Sequence, residues 1–274
     1  MCSENRYTSK KTTSNGVKFR KNVLLKNHTT FKIGGPAKYF FVAETKDDLI
    51  KAILEAKKLN LPFFILAGGS NLLVSDDGYK GLVIKTGKPL SSYVSKGLEW
   101  AAGIPGTVEG AVYGNAGAFG KSMKDAVESV EVFDAEIKKI KVFKNRDCKF
   151  AYRDSIFKRN KNLIILSVKI KSKKSNPKKI KKYFKYKKEK QPLDYASAGS
   201  VFKNPEGFSA GELVEKCGLK GKRIGNVKIS EKHANFIVNL GQGRAKDVKK
   251  LIKLIKKKVK EKFGIKLEEE IELL

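Results

Sequence analysis

Apolar residues along this chain recur with two periods, and the places where the period changes mark out its elements. Residues 39–44 (YFFVAE) read as a strand. Thr45, with Asp48 three residues on, resembles a capping box. It opens a helix whose apolar positions are Leu49, Ala52, Ile53, Ala56 and Leu59. Pro62 ends that pattern, and FFIL leads into Ala67-Gly68-Gly69-Ser70-Asn71. The first folded stretch is therefore β-α-β, with a glycine turn at the tip of its second strand. GLVIK (81–85) is another short strand, and residues 127–143 read as two strands about a turn at Asp134-Ala135-Glu136. LIILSVKI (163–170) comes next as a further strand. Ser209 with Glu212 makes a second capping box before a short helix running to Gly218, which fits a C′ glycine. NFIVN (235–239) is a strand, and Val248, Leu251, Ile252, Ile255, Val259 and Phe263 mark one face of a helix closed by Gly264. No internal repeat is present. The class is α+β with mixed strands, in at least two domains.

Composition narrows this picture. With 274 residues and 41% of them hydrophobic, the chain can build packed cores, which excludes disorder throughout. No apolar run approaches the roughly 20 residues that span a bilayer, and MCSENRYTSKKTTSN has no apolar leader region. Cys2, Cys148 and Cys217 lie far apart, forming neither a disulfide framework nor a zinc site, so a cytoplasmic location is expected. Lys and Arg number 59 against 28 acids, a net charge of +31. Such a balance attracts polyanions, either nucleic acid or phosphate-bearing small molecules. Only seven of the 59 cations are Arg, which weakens a base-reading role. Residues 169–190 hold twelve Lys and one acid; this segment is a helix or a linker, and most such runs are solvated faces.

The chemistry concentrates in glycine-rich stretches. AGGSN at a strand end presents backbone N–H groups without a Cβ in the way, which suits a pyrophosphate as well as an ordinary turn. Residues 103–120 carry Gly103, Gly106, Gly110, Gly114, Gly117 and Gly120 with few charges. Each glycine loses extra backbone entropy on folding, so close approach of backbone to a ligand explains the block better than core packing. It matches neither G-x-G-x-x-G entering a helix nor a phosphate-loop sequence with its lysine. Arg153 in YRDS either pairs with an acid, such as Asp154, or faces an anionic substrate. Ser200 stands after Gly199, with Lys203 three residues on; most serines in such a place are turn residues, and no nucleophile elbow surrounds it. His28 and His233 stand far apart in sequence without a carboxylate cluster, so no metal site is expected.

Seven segments in order, NHTTFKIGGPAKYF, ILAGGSNLLVSDDGYKGLVI, GLEWAAGIPGTVEGAVYGNAGAFG, FAYRDSIFK, SAGSVFKNPEG, KISEKHANFIVN and FGIKLEEEIEL, resemble the UDP-N-acetylenolpyruvoylglucosamine reductase family from about residue 27 onward. The resemblance implies a vanillyl-alcohol-oxidase/PCMH-type FAD-binding domain of two subdomains, plus a smaller α+β substrate-binding domain. It implies NADPH-dependent reduction of UDP-N-acetylglucosamine enolpyruvate through FAD, with NADPH as hydride donor. The corresponding division is a loose basic arm (1–20), an FAD-binding domain (21–172, subdomains about 21–85 and 86–172), a basic linker (173–196) and a substrate domain (197–268). Residues 269–274 form a last strand carrying an active-site glutamate. Catalytic roles fall on Arg153, Ser200 and, aligning LEEE with the family's L-E-P-E, Glu270. Cofactor contacts fall on Ala67, Gly68, Gly69, Ser70 and Asn71, then on Gly103, Gly106, Thr107, Gly110, Gly114, Asn115, Ala116 and Gly117. Tyr152, Lys203 and Asn204 fall to the substrate. The direct run from KQPL into SAGSVF matches the subclass lacking an extra tyrosine loop.

The implied partners are the UDP-sugar and NADPH, without membrane or nucleic acid, for a monomer. Two rival readings are another FAD oxidoreductase of the same fold and a lysine-rich protein coating nucleic acid. Two departures from the family stand out. Only TGKPLSSYVSK separates GLVIK from GLEWAAG, where the family carries roughly thirty residues more. Glu109 stands where the family usually has glycine, and a carboxylate there would repel a pyrophosphate unless it points away.

Overall fold

The computed structural model describes residues 10–12, 17–171 and 173–274. Most of the arm expected over residues 1–20 lies outside the described residues, and from Lys18 the chain is already in the strand Lys18–Leu24. The fold mixes helices and sheets in two compact units, each assembled from separated stretches of chain. Among the described residues no helix is long and apolar enough to cross a membrane.

The first unit takes the described residues to Val23, then Ala37–Gly68 and Tyr79–Tyr183. Thr45 Oγ1 accepts the Asp48 N–H and the Asp48 carboxylate accepts the Thr45 N–H, which starts the helix Lys46–Lys58. Hydrogen bonds to its carboxylate from the Thr45 side chain and then from the Thr45 backbone N–H hold the Asp48 carboxyl below its usual pKa. Strand Pro36–Val42 precedes this helix and strand Phe63–Leu66 comes after it, but the two do not touch. Tyr79–Lys85 inserts between them, parallel to both, in a five-stranded sheet. Leu49, Ala52, Ile53 and Ala56 of the helix pack on Leu82 and Ile84 of this sheet. They also pack on Phe133, Ile164 and Leu166 of a second sheet.

That second sheet is antiparallel, ordered Lys139–Lys144, Val127–Asp134, Leu163–Ile170. Its other face carries Val130, Val132 and Ile165 against Trp100, Val108, Val112 and Phe157. The shortened stretch after Lys85 belongs to this core. It folds as tight 3-10 turns, Leu90–Lys96 and Glu99–Ala101, that bury Leu90, Leu98 and Trp100.

The second unit joins Leu24–Pro36 and Gly69–Gly78 to Phe184–Leu274. Side chains explain why these distant stretches stay. Asn239 Nδ2 donates to the carbonyls of Phe31 and Lys32. Asp76 accepts the N–H groups of Ala245 and Lys246, capping a helix whose own N-cap residue, Arg244, does not. Glu272–Leu273 pairs parallel to Leu72–Leu73.

The unit's sheet runs Ala196–Ser200, Phe236–Asn239, Val227–Ile229, Arg223–Ile224. Helices Ala210–Lys216 and Ala245–Phe263 cover it, the latter through Val248, Leu251, Ile255 and Val259. Gly218 and Gly264 take positive φ just past the two helix ends, as their positions in sequence suggested. The lysine-rich segment, placed in the 173–196 linker by the expected division, is a helix, Pro177–Lys190.

Candidate active site

In the first unit the two glycine stretches meet. Strand Phe63–Leu66 delivers Ala67 and Gly68 onto the backbone of Gly106, where a Cβ on Gly68 would stand 2.3 Å from the Gly106 Cα. Gly110 lies so close to Ala67 that an added Cβ would be 3.1 Å from the Ala67 Cβ. Thr107 Oγ1 accepts the Gly110 N–H and starts the helix Val108–Tyr113. The shortened stretch braces the same loop: Leu90 N–H donates to Gly106 O at 3.0 Å and Val108 N–H to Lys88 O at 2.9 Å.

Glu109 completes that brace. Its side chain is 7% exposed, and Oε2 accepts the Lys88 N–H at 2.8 Å. Gly87, with φ of +108°, passes so near that a Cβ there would come within 2.7 Å of Oε2. The carboxylate is thus committed to the connection after Lys85, which answers the electrostatic objection raised by its position in the glycine block.

The second half of the block is tied to the YR turn. Asn115, at φ +44° and buried, donates to Ala151 O at 2.7 Å and accepts the Lys124 N–H at 3.0 Å. Both ends of its amide thus hold protein groups, one donor and one acceptor being used. Arg153 has φ of +54°, a left-handed conformation that costs energy for a non-glycine residue. Its guanidinium donates to Gly117 O at 3.0 Å and lies 5.2 Å from the centre of the exposed Tyr152 ring. Asp154, a partner that the sequence allows, instead pairs with Arg159 at 2.5 Å. Gly114 has only one atom within 4 Å of an added Cβ, at 3.8 Å, and Gly120 has none.

The second unit holds Gly69, Ser70, Asn71, Ser200, Lys203, Asn204 and Glu270. Gly69, at φ +59°, is pressed on the His28 carbonyl, where a Cβ would stand 2.4 Å from the oxygen. Ser200 ends its strand after Gly199, at φ +76°, and the chain beyond it runs beside residues 268–270. Glu270 N–H donates to Val201 O at 2.8 Å, and Lys203 N–H to Glu268 O at 2.9 Å. Asn71 Nδ2 donates to the Glu270 carbonyl at 2.9 Å.

The neighbouring carboxylates have lysine partners, Lys256 with Glu269 at 2.9 Å and Lys203 with Glu268 at 3.3 Å. Asn204 Oδ1 accepts the Ala210 N–H, which occupies it in starting a helix. Two buried polar residues in this unit carried no mark in the sequence, Asn235 and Lys187. Lys187 is only 3% exposed, and burial lowers its pKa to about 8. It lay hidden among twelve lysines, although Ile180, Tyr183 and Lys187 share one helix face by spacing.

These loops fit a large ligand held by backbone. Glycines carry the close approaches, Gly114 and Gly120 leave bare backbone, and the block's buried carboxylate is engaged elsewhere.

A model of the UDP-N-acetylenolpyruvoylglucosamine reductase C-terminal domain matches residues 191–274. The chain is 45% identical to the UDP-N-acetylenolpyruvoylglucosamine reductase of Caldanaerobacter subterraneus subsp. tengcongensis, over 92% of each chain. It is 42% identical to the enzyme of that name from Caldicellulosiruptor bescii, over 95% of this chain and 92% of the relative. The first of these matches extends over 282 aligned positions while using 92% of 274 residues, so about thirty positions have no counterpart here. The crystal structure of UDP-N-acetylenolpyruvylglucosamine reductase from Thermus caldophilus superposes with a TM-score of 0.78 at 37% identity, covering 93% of this chain and 99% of that one. On identity sustained over nine-tenths of its length, the chain belongs to the UDP-N-acetylenolpyruvoylglucosamine reductase family.

Proposed function

We propose that this chain reduces UDP-N-acetylglucosamine enolpyruvate to UDP-N-acetylmuramate, with FAD as resident cofactor and NADPH as hydride donor. The step would serve peptidoglycan precursor synthesis in the cytoplasm. The observation that carries this reading is the 45% identity to a reductase of that name over 92% of both chains. On this reading the first unit is an FAD-binding domain of the vanillyl-alcohol-oxidase/PCMH type, its two sheets marking two subdomains, and the second is the substrate domain of a monomer. Ala67 to Asn71 and the 103–117 glycines hold FAD through backbone N–H groups.

Bound FAD supplies hydride acceptance from NADPH and hydride delivery to the substrate's methylene carbon. The rest falls to side chains. Hydride addition builds negative charge on the adjacent carbon and its carboxylate, and pre-placed charge or donors lower that cost most. Arg153 supplies the fixed cation, its guanidinium already oriented by Gly117 O. Glu270, protonated, supplies a hydrogen-bond donor. Ser200 delivers the proton to carbon, with Lys203 as the nearby cation, and Tyr152 and Asn204 flank the substrate. The +31 charge raises the encounter rate of two polyanionic substrates at low salt.

The test is the visible spectrum of the protein with added FAD, before and after anaerobic NADPH, then after the enolpyruvyl substrate. The band should bleach and return. A bleached band that the substrate fails to restore would leave an FAD oxidoreductase with another acceptor, and absence of any flavin band would refute the reading.

A further inference from the structure

Ser200 and Glu270 are joined through a single strip of backbone, and one buried amide governs it. Strand Ala196–Ser200 pairs antiparallel with Phe236–Asn239 as Ala196↔Asn239 and Ser197↔Val238. The register then shifts, and Ser200 faces Phe236. The extra residue in that bulge turns the strand beyond it, so the regular ladder stops at Ser200. Past this point, Val201 N–H donates to Asn235 O at 2.8 Å.

The next pairing is made by a side chain. Asn235 Oδ1 accepts the Phe202 N–H at 3.0 Å, and Asn235 Nδ2 donates to Phe202 O at 2.8 Å. Asn235 is 4% exposed and Phe202 and Val201 are each 1% exposed, so water does not compete for these bonds. The other edge of the same strip carries the glutamate: Val201 O accepts the Glu270 N–H, and Phe202 bridges to Glu269.

We propose that Asn235 is a positioning residue for proton delivery, its carboxamide standing in for a peptide unit that fixes Ser200 and Glu270 relative to one another. This rests on the reading that those two residues act on the substrate. The geometry is specific to asparagine. The amide must offer an acceptor and a donor side by side, one methylene from the backbone. Leucine keeps the shape but offers neither group. Aspartate offers two acceptors and sets a negative charge against Phe202 O. Glutamine is a methylene too long for a site this closely packed. Asn235 is itself oriented from behind, since its N–H donates to His233 Nδ1 at 3.2 Å.

The test uses the FAD-loaded enzyme and tracks the two half-reactions separately. Asn235→Asp and Asn235→Leu should each slow reoxidation of the reduced enzyme by the enolpyruvyl substrate about 10- to 100-fold at pH 7.5, as a displacement near 1 Å does. Flavin affinity and reduction by NADPH should stay within about twofold of wild type. A protonated aspartic acid has the donor and acceptor of asparagine, and burial against a carbonyl favours that form. Relative to wild type at the same pH, Asn235→Asp should therefore recover toward pH 5.5, and Asn235→Leu should not.

The titratable neighbours are His233 behind Asn235 and Glu268, Glu269 and Glu270 across the strip, with Lys203 and Lys256 pairing the first two glutamates. Hydrogen exchange at the Phe202 amide gives a readout apart from activity: protection lost in Asn235→Leu and regained by Asn235→Asp at pH 5.5. Wild-type reoxidation by both variants, an equal fall in both half-reactions, or an Asn235→Asp chain that stays unfolded at pH 5.5 would each overturn the proposal. If Ser200→Ala reoxidises at the wild-type rate, the reading of Ser200 fails instead, whatever Asn235 does.

Discussion

Replacing Gly114 and Gly68 by alanine separates two reasons for a glycine in a binding loop, approach of a ligand and approach of the chain to itself. Gly114 has φ −91° and ψ 3°, a conformation that alanine adopts without strain, and an added Cβ would meet only Gly110 O, at 3.8 Å. Gly114→Ala should therefore leave the urea midpoint unchanged or raise stability by roughly 0.4–1 kcal/mol through the unfolded chain. If the loop's bare backbone lies against FAD, the same methyl intrudes on the cofactor. An overlap costing about 1.4–3 kcal/mol raises the FAD dissociation constant about 10- to 100-fold.

Gly68 is the contrasting case. Its Cβ would lie 2.3 Å from the Gly106 Cα and 2.9 Å from the Gly106 carbonyl carbon, both backbone atoms that cannot rotate away. Gly68→Ala should cost about 1–3 kcal/mol of stability and weaken FAD together, because the two loops must separate. Urea titration of each apoprotein and flavin fluorescence titration supply the two numbers. A Gly114→Ala protein that binds FAD as wild type would refute the assignment of this glycine to the cofactor.

Single contacts carry the remaining expectations. Glu109→Ala removes the acceptor of a part-buried Lys88 N–H and should cost about 1–3 kcal/mol in a urea titration, while Glu109→Gln should keep most of it and leave FAD affinity within about twofold. Tenfold tighter FAD in Glu109→Gln would mean that the carboxylate does act on the cofactor. Ser200→Ala should leave reduction by NADPH intact and slow reoxidation by substrate by several orders of magnitude; equal rates in both halves would remove Ser200 from the mechanism. Glu270→Gln should be milder than Glu270→Ala in the same stopped-flow trace, and identical losses would count against a hydrogen-bonding role. Burial holds the His233 pKa below its ordinary 6.5, and its neutral Nδ1 accepts the Asn235 N–H. The unfolded chain thus takes up this proton first, so the stability it contributes is full above about pH 6.5 and is lost as pH falls toward the folded value. Wild type should lose more stability than His233→Asn between pH 7.5 and 5.5 in denaturant titrations, and equal losses would refute the linkage.

Local features of this protein are legible in the residue order alone. The Thr45–Asp48 capping box, the apolar stripes of helices Lys46–Lys58 and Ala245–Phe263, and glycines at helix ends depend on residues one to four positions apart. Their periodicity survives in any packing. The glycine block and the YR and SAGS motifs were likewise visible as candidates, because their composition is costly without a use.

Features that depend on closing long loops emerge only in the folded chain. Tyr79–Lys85 enters between two strands that seemed a simple β-α-β pair, and residues 24–36 and 69–78 join a unit made mostly of the C-terminal third. Such pairings are set by nonlocal contacts that no window of sequence contains. Polar side chains show the same limit. Asn115, Asn204 and Asn235 are alike as letters, yet one ties two loops, one starts a helix and one replaces a peptide unit in a ladder. Asp154 likewise pairs with Arg159 rather than its neighbour Arg153, because the direction of a side chain is fixed by the backbone that tertiary packing imposes.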